Sequence, residues 1–206
     1  MVKVFIGMTV PAFGLMYTKT FISLLSLDKP KDFTFHITRG GLIDWERNNL
    51  VLEMLKDQAF THLFFVDGDM VVPKDALMKL IDDDEDVVSG LYFQRAEPHT
   101  PVIYKKNEKG NFLPIENYEA DRLFEVDATG AGCLLVKREV FEKLKNKVPI
   151  NNGVPTFFNA NFGMTEDMFF CDKAKQNGAK IYCDSRIKCG HIDLNVVEEK
   201  DFRLTK

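Results

Sequence analysis

Two strand-length apolar runs in the first third of the chain constrain its fold more than any other feature. Val2 to Met8 reads V-K-V-F-I-G-M, and Thr61 to Val66 reads T-H-L-F-F-V. Such near-continuous runs belong to strands covered on both faces, as in a parallel sheet sandwiched between helices. The intervening segments supply those helices. Leu15 to Leu27 reads as a helix with Phe21, Leu24 and Leu25 on one side. Asp32 to Thr38 alternates like a second strand and is broken by Arg39-Gly40-Gly41. Asp44 is placed to cap a helix with the stripe Leu50, Val51, Met54 and Leu55. Pro73 opens a further helix through Leu80 and Ile81, and Val87 to Phe93 is a fourth strand. Strands alternating with helices predict right-handed crossovers and a largely parallel α/β sheet.

The second half changes character. A hairpin is expected around Asn107 to Gly110. Strands are expected at Phe124 to Ala128 and Cys133 to Val136, on either side of Gly130-Ala131-Gly132. Arg138 to Lys147 is amphipathic and helical in pattern. Thr165 caps a helix ending at Asn177-Gly178, and two short strands follow at Ile181 to Cys183 and Ile187 to His191. Val148 to Gly163, rich in Asn, Pro, Gly and Phe, is expected to be a long irregular lid that closes over a bound ligand. With 206 residues and no linker, the expectation is one domain over 1–206, changing character near residue 95.

Composition removes several function classes. A net charge of −4 gives no basic footprint for nucleic acid. No run approaches the roughly 20 apolar residues of a transmembrane segment. The four cysteines form no C-x-x-C pair, which fits free buried thiols in a reducing compartment and a cytoplasmic protein.

The chemistry sits after the third strand, which ends in Asp67-Gly68-Asp69. Two carboxylates one residue apart reach a single ion, and Gly68 leaves the turn between them free to be tight. Open parallel sheets bind ligands at the carboxyl ends of their strands, where this pair falls. Oxygen ligands favour Mg2+ or Mn2+ over zinc. Asp82/Asp84 and Asp84/Asp86 repeat the spacing within an acidic run that reads as a solvated turn.

The stretch T-H-L-F-F-V-D-G-D-M-V-V-P-K-D-A-L-M-K-L, followed by D-V-V-S-G-L-Y, resembles the core of GT-A glycosyltransferases, in particular the large, mostly inverting family of bacterial and viral sugar transferases. Arg47-Asn48, Thr165-Glu166-Asp167 and Gly190-His191 resemble further parts of the same pattern, in the same order along residues 1–191. The resemblance implies a mixed, mainly parallel sheet flanked by helices. It also implies a Mn2+ or Mg2+ ion on Asp67 and Asp69, joined by His191, that bridges the diphosphate of a UDP- or GDP-sugar. Thr9 and Pro11 would cradle the nucleotide, with Arg47, Gly68 and Arg95 beside its phosphates. Asp167 would be the base for a carbohydrate or glycoconjugate hydroxyl, and Glu166 would orient that acceptor. Each residue also has a plainer reading. Arg47 pairs with a nearby acid, Glu166 and Asp167 answer a helix dipole, Phe157 and Phe158 are packing, and Gly130 to Gly132 is a bend. A sugar nucleotidyltransferase and a non-catalytic sugar-binding module are the alternatives. The first lacks a basic glycine-rich loop after strand one, and the second does not need the Asp67/Asp69 pair together with Asp167.

Overall fold

The apolar N-terminal run forms β1 (Lys3–Val10), whose side chains alternate between two buried layers. Val4, Ile6 and Met8 join one core cluster, and Phe5 joins the other. This computed structural model describes residues 1–10, 15–160, 163–193, 196–197 and 199. After β1 come α1 (Thr18–Ser26), β2 (Asp32–Arg39), α2 (Ile43–Lys56), β3 (His62–Asp67), β4 (Met70–Val71), α3 (Ala76–Asp82) and β5 (Val87–Leu91). A run of short strands follows: β6 (Ile103–Lys106), β7 (Phe112–Pro114), β8 (Leu123–Glu125), β9 (Ala128–Thr129) and β10 (Cys133–Lys137). The chain continues through α4 (Arg138–Leu144), β11 (Ile150–Asn151), β12 (Val154–Pro155), α5 (Glu166–Gln176), β13 (Ile181–Lys188), β14 (Gly190–Ile192) and β15 (Val196–Val197).

The main sheet has seven strands in the order β2-β1-β3-β10-β5-β13-β8. β1 is parallel to β2 and β3, and β13 is parallel to β5. β10 inserts antiparallel between β3 and β5, and β8 closes the far edge antiparallel to β13. The sheet is therefore mixed, with β2, β1, β3, β5 and β13 running in one direction. β10 can take the central position because C-L-L-V is buried on both faces. α2 packs on one face, its Leu50 against Gly7, where an added Cβ would stand 2.9 Å from the Leu50 side chain. α1 and α3 contribute Leu24, Ala76, Leu77 and Leu80 to the core on the other face.

Several local expectations change. α1 begins at Thr18 and buries Thr20, Ser23 and Leu24, leaving Phe21 and Leu25 exposed. The rotation has a polar cause: Ser23 Oγ donates to the Thr20 carbonyl and accepts from the Val72 amide, tying α1 to the segment after β4. Asp44 lies inside the first turn of α2, and Leu42 is the N-cap. Thr165 is the N-cap of α5, but its hydroxyl donates to the Asp167 carboxylate instead of capping the backbone. The first expected final strand extends through Lys188 as β13, with a register shift between Asp184 and Lys188, and the second is divided between the end of β13 and the start of β14. The acidic run is not wholly solvated. Asp83 turns in against Asp184 and Arg186, and burial with the Asp184 charge pushes its carboxyl up to about 6.

The stretch from Val148 to Gly163 carries the hairpin β11–β12 and a pair of core residues. Phe157 and Phe158 are fully buried. Phe158 stacks on Phe170 with ring centroids 4.6 Å apart and meets Phe65 edge-on at 5.3 Å. Asn48 fastens the segment to α2: its Nδ2 donates to the Phe158 carbonyl, and its Oδ1 accepts from the Phe157 and Phe158 amides. The phenylalanines are packing, not an acceptor platform, while Phe162 lies outside the described residues. Phe158→Ala should cost about 3–5 kcal/mol by chemical denaturation. A loss below about 1 kcal/mol would mean that the segment is a surface lid.

Candidate active site

β1 and β3 end side by side, and this sets the first half of the site. Thr9 pairs with Asp67 in the parallel register, and its hydroxyl donates to Asp67 Oδ1 at 2.6 Å. The Gly68 amide donates to the Thr9 carbonyl, and the Asp67 amide to that of Gly132. The backbone around the acidic pair is thus held by both neighbouring strands.

Arg47 reaches this point from the inner face of α2. Its Nη2 donates to Asp67 Oδ2 at 3.0 Å, its Nε to Glu166 Oε1 at 3.2 Å, and its Nη1 to the Ala131 carbonyl at 3.0 Å. The side chain is 3% exposed, with its guanidinium carbon 6.0 Å from the ring centroids of both Phe65 and Phe158. Burial on its own would lower its pKa, but the charges of Asp67, Glu166 and Asp167 outweigh that and hold it above the ordinary value. Glu166 opens α5, and its carboxyl is raised, first by burial and then by Asp167, against the opposing pull of Arg47. The plainer reading of Arg47, a pair with its sequence neighbours Asp44 or Glu46, does not hold, because its acids are Asp67 and Glu166. Glu46 instead accepts from the Gly41 amide.

Asp69 is set by a different device. The short β4 that follows it pairs antiparallel with β14, Met70 opposite His191, and the Ile192 amide donates to the Asp69 carbonyl. This places His191 Nε2 3.5 Å from Asp69 Oδ2. The other ring nitrogen, Nδ1, is 2.8 Å from the Phe93 carbonyl. A carbonyl only accepts, so Nδ1 carries the proton and Nε2 faces Asp69. Arg95 Nη1 also donates to Asp69 Oδ2, at 3.1 Å. Burial would raise the Asp69 pKa, but His191 and Arg95 outweigh it and lower it. Burial would lower that of His191, but Asp69 outweighs it and raises it.

Thr9, Arg47, Asp67, Gly68, Asp69, Arg95, Glu166, Asp167 and His191 all line one cleft of about 880 Å³. Every predicted site residue is therefore brought together except Pro11, which lies outside the described residues. Within the cleft the carboxylates divide. Asp67 faces Thr9 and Arg47, while Asp69 faces His191 and Arg95. Among the described residues no three His, Cys, Asp or Glu side chains stand close enough to hold a metal ion as placed.

Sequence reasoning missed Tyr92, Gln94 and Tyr104, which also line the cleft. Gln94 Nε2 donates to the Tyr104 hydroxyl at 3.3 Å. The Tyr92 hydroxyl accepts from the Gly132 amide, and its ring meets His191 edge-on. A Cβ at Gly130 would stand 1.9 Å from that hydroxyl, so Gly130 is fixed by Tyr92. The glycines around Ala131 were the available signal, and their meaning is room for Tyr92 together with a carbonyl for Arg47. No helix among the described residues is long and apolar enough to cross a membrane.

Arg47→Met tests the ion-pair arrangement. Removing the cation leaves two carboxylates facing an apolar side chain, and the expected loss is about 3–5 kcal/mol near neutral pH. Glu166, already raised, would rise further in the variant. Stability from such a group is present below its unfolded pKa and lost as pH climbs through the folded one. The deficit should therefore shrink in mildly acidic buffer, and a pH-independent deficit would refute the assignment.

No protein-family model matches the chain, and no curated protein matches it in sequence. Solved structures do match in fold. A197 from STIV superposes with a TM-score of 0.64 at 20% identity, over 91% of this chain and 85% of its own. GalNAc-T7, solved with UDP, GalNAc and Mn2+, gives 0.63 at 12% identity, over 93% of this chain and 44% of its own. TarS of S. aureus, solved with UDP-GlcNAc, gives 0.54 at 16% identity, over 89% and 56%. The chain thus spans about half the length of the GalNAc-T7 and TarS chains. With its mixed seven-stranded sheet, flanking helices and strand-end cleft, this chain has the GT-A fold of the glycosyltransferases.

Proposed function

We propose that the chain is a metal-dependent glycosyltransferase that moves a sugar from a UDP- or GDP-sugar to a hydroxyl of a carbohydrate or glycoconjugate, with inversion. The observation that carries this reading is His191 Nε2 facing Asp69 in the strand-end cleft that Asp67 and Asp167 also line. A metal-binding histidine commonly gives its second N–H to a backbone carbonyl, which fixes the tautomer that leaves Nε2 free to bind. Here the Phe93 carbonyl does this. Asp69 and His191 would hold the ion, and Asp67 would join them by turning one oxygen from Arg47 or Thr9. The imidazole donor tilts this set from Mg2+ toward Mn2+. The ion would supply Lewis-acid stabilisation of the departing diphosphate. GalNAc-T7 with UDP, GalNAc and Mn2+, and TarS with UDP-GlcNAc, support the donor class.

The side chains divide the remaining work. Thr9 and Gly68 sit where a nucleotide would lie along the strand ends. Arg95 is 47% exposed and, once released from Asp69, would answer the diphosphate charge. Arg47 gives each of its three nitrogens to an internal acceptor, so its part is to orient Asp67 and Glu166, and Glu166 in turn fixes Arg47. Asp167 is the general base. Its Oδ1 accepts from the Met168 amide and the Thr165 hydroxyl, and Oδ2 remains for the acceptor. The acceptor oxygen bonds to the anomeric carbon as the bond to the diphosphate oxygen breaks. The acceptor proton passes to Asp167, and the diphosphate leaves with the electron pair. A single displacement of this kind inverts the configuration.

Two variants separate binding from chemistry. Asp69→Asn should abolish Mn2+-dependent binding of nucleotide sugar in calorimetry while the fold survives. Metal-independent binding in both proteins would end the metal assignment. Asp167→Asn should keep donor affinity and lower turnover by ~10²–10⁴. Turnover within a few-fold of the parent would reduce Asp167 to a residue that stabilises its own helix.

A further inference from the structure

On the opposite side of α2 from the cleft lies a groove of about 460 Å³, walled by the first turns of that helix and the β11–β12 hairpin. We propose that this groove is a second carbohydrate subsite, which holds a sugar unit of an oligosaccharide acceptor beyond the unit that reacts, with Trp45 as its stacking platform. The proposal rests on the glycosyltransferase reading.

Trp45 is the only tryptophan of the chain and is 61% exposed. Among the described residues no aromatic ring packs on it, and its side chain lines the groove. A tryptophan left in water on a rigid helix is a feature of binding surfaces, where its apolar body finds a partner. Around it the lining mixes amides and a hydroxyl (Asn49, Asn151, Asn152 and Thr156) with apolar Leu52, Pro149, Val154 and Pro155, and among the described residues Asp44 is its sole charged group. Each primary amide offers donors and an acceptor in one plane, which suits a ligand whose rim alternates hydroxyl donors and acceptors. A pyranose has such a rim and also an apolar C–H face that fits an aromatic ring. No Lys or Arg lines the groove, so a phosphate or nucleotide finds no counter-charge there.

The groove is held in shape from beneath. Asn48, on its floor, uses both side-chain groups internally, with Nδ2 on the Asp44 and Phe158 carbonyls and Oδ1 under the Phe157 and Phe158 amides. α2 links the groove to the cleft. Ile43, Glu46 and Arg47 face the cleft, while Asp44, Trp45 and Asn48 face the groove. The two sites are about one helix diameter apart, roughly 10–12 Å. A chain of a few sugar units laid over the start of α2 would reach both.

The sole tryptophan makes the test direct, because all indole emission comes from Trp45. The wild-type protein is titrated with chitotetraose, cellotetraose, maltotetraose and mannotetraose, with glucose and UDP plus Mn2+ as controls. At least one tetrasaccharide should shift the emission to shorter wavelength saturably and protect it from acrylamide, while both controls leave it unchanged. Asn151→Ala should weaken that titration about ten-fold, the loss of one hydrogen bond. Silence with all four sugars overturns the subsite. So does an emission shift that follows protein concentration without sugar, which would assign the groove to self-association. Calorimetry with UDP-GlcNAc and Mn2+ on the same sample tests the cleft separately. Donor binding with silent Trp45 emission removes only the subsite. A sugar response without donor binding leaves the groove's sugar site standing and overturns the reading of the cleft.

Discussion

A buried guanidinium organises this molecule. Arg47 is buried beside the paired rings of Phe65 and Phe158, and taking its charge out of water carries a penalty of several kcal/mol unless every polar direction is answered. Asp67, Ala131 and Glu166 answer it, and they come from three distant parts of the chain: the end of β3, the segment before β10 and the start of α5. The cluster forms only when β10 has entered the sheet and α5 has docked. A single side chain thereby links completion of the fold to assembly of the cleft. The same contacts orient Asp67 and hold Glu166 beside Asp167. A cation placed here therefore acts more as a geometric clamp than as a source of net stability.

Much of the architecture was legible because burial leaves a pattern. β1 and β3, covered on both faces, could hardly be read otherwise, and the strand-end position of Asp67 and Asp69 followed from them. The position of β10 was not legible. C-L-L-V is as apolar as any inner strand, but periodicity carries no information about which neighbour a strand chooses or in which direction it runs. α1 was misread for a related reason. Its inward face carries Thr20 and Ser23, and the Ser23 hydroxyl accepts from the Val72 amide, a bond that a hydrophobic pattern cannot register.

The site divides in the same way. Asp67 and Asp69 were legible from their place after a buried strand, and Arg47, Glu166, Asp167 and His191 from the resemblance to the glycosyltransferase pattern, and all six line the cleft. Their partnerships were not found. That Arg47 turns inward while Arg95 is the exposed cation depends on contacts nearly 120 residues apart in sequence for the Arg47–Glu166 pair. Asn48, read as half of a motif, proved to be the clasp of the segment leading to α5. Phe157 and Phe158, read as lid surface or packing, proved to be core because of that clasp. Tyr92 left only an indirect trace, in two glycines that make room for it.

The charge distribution in the cleft bears on the order of binding. Its lining carries six carboxylates, those of Glu46, Asp67, Asp69, Glu166, Asp167 and Asp193, against the guanidiniums of Arg47 and Arg95. Arg47 is already balanced internally, which leaves Arg95 to meet an incoming diphosphate. An anion entering such a cleft unaccompanied would meet net repulsion, strengthened by the low dielectric of its half-buried walls. A divalent cation held by Asp69 and His191 would reverse that balance, being attracted by the acids and offsetting their charge. The acidic lining therefore supports a sequence in which cation binding precedes donor binding. The Arg95–Asp69 pair would be the contact exchanged, with the guanidinium passing from carboxylate to phosphate as the ion takes its place.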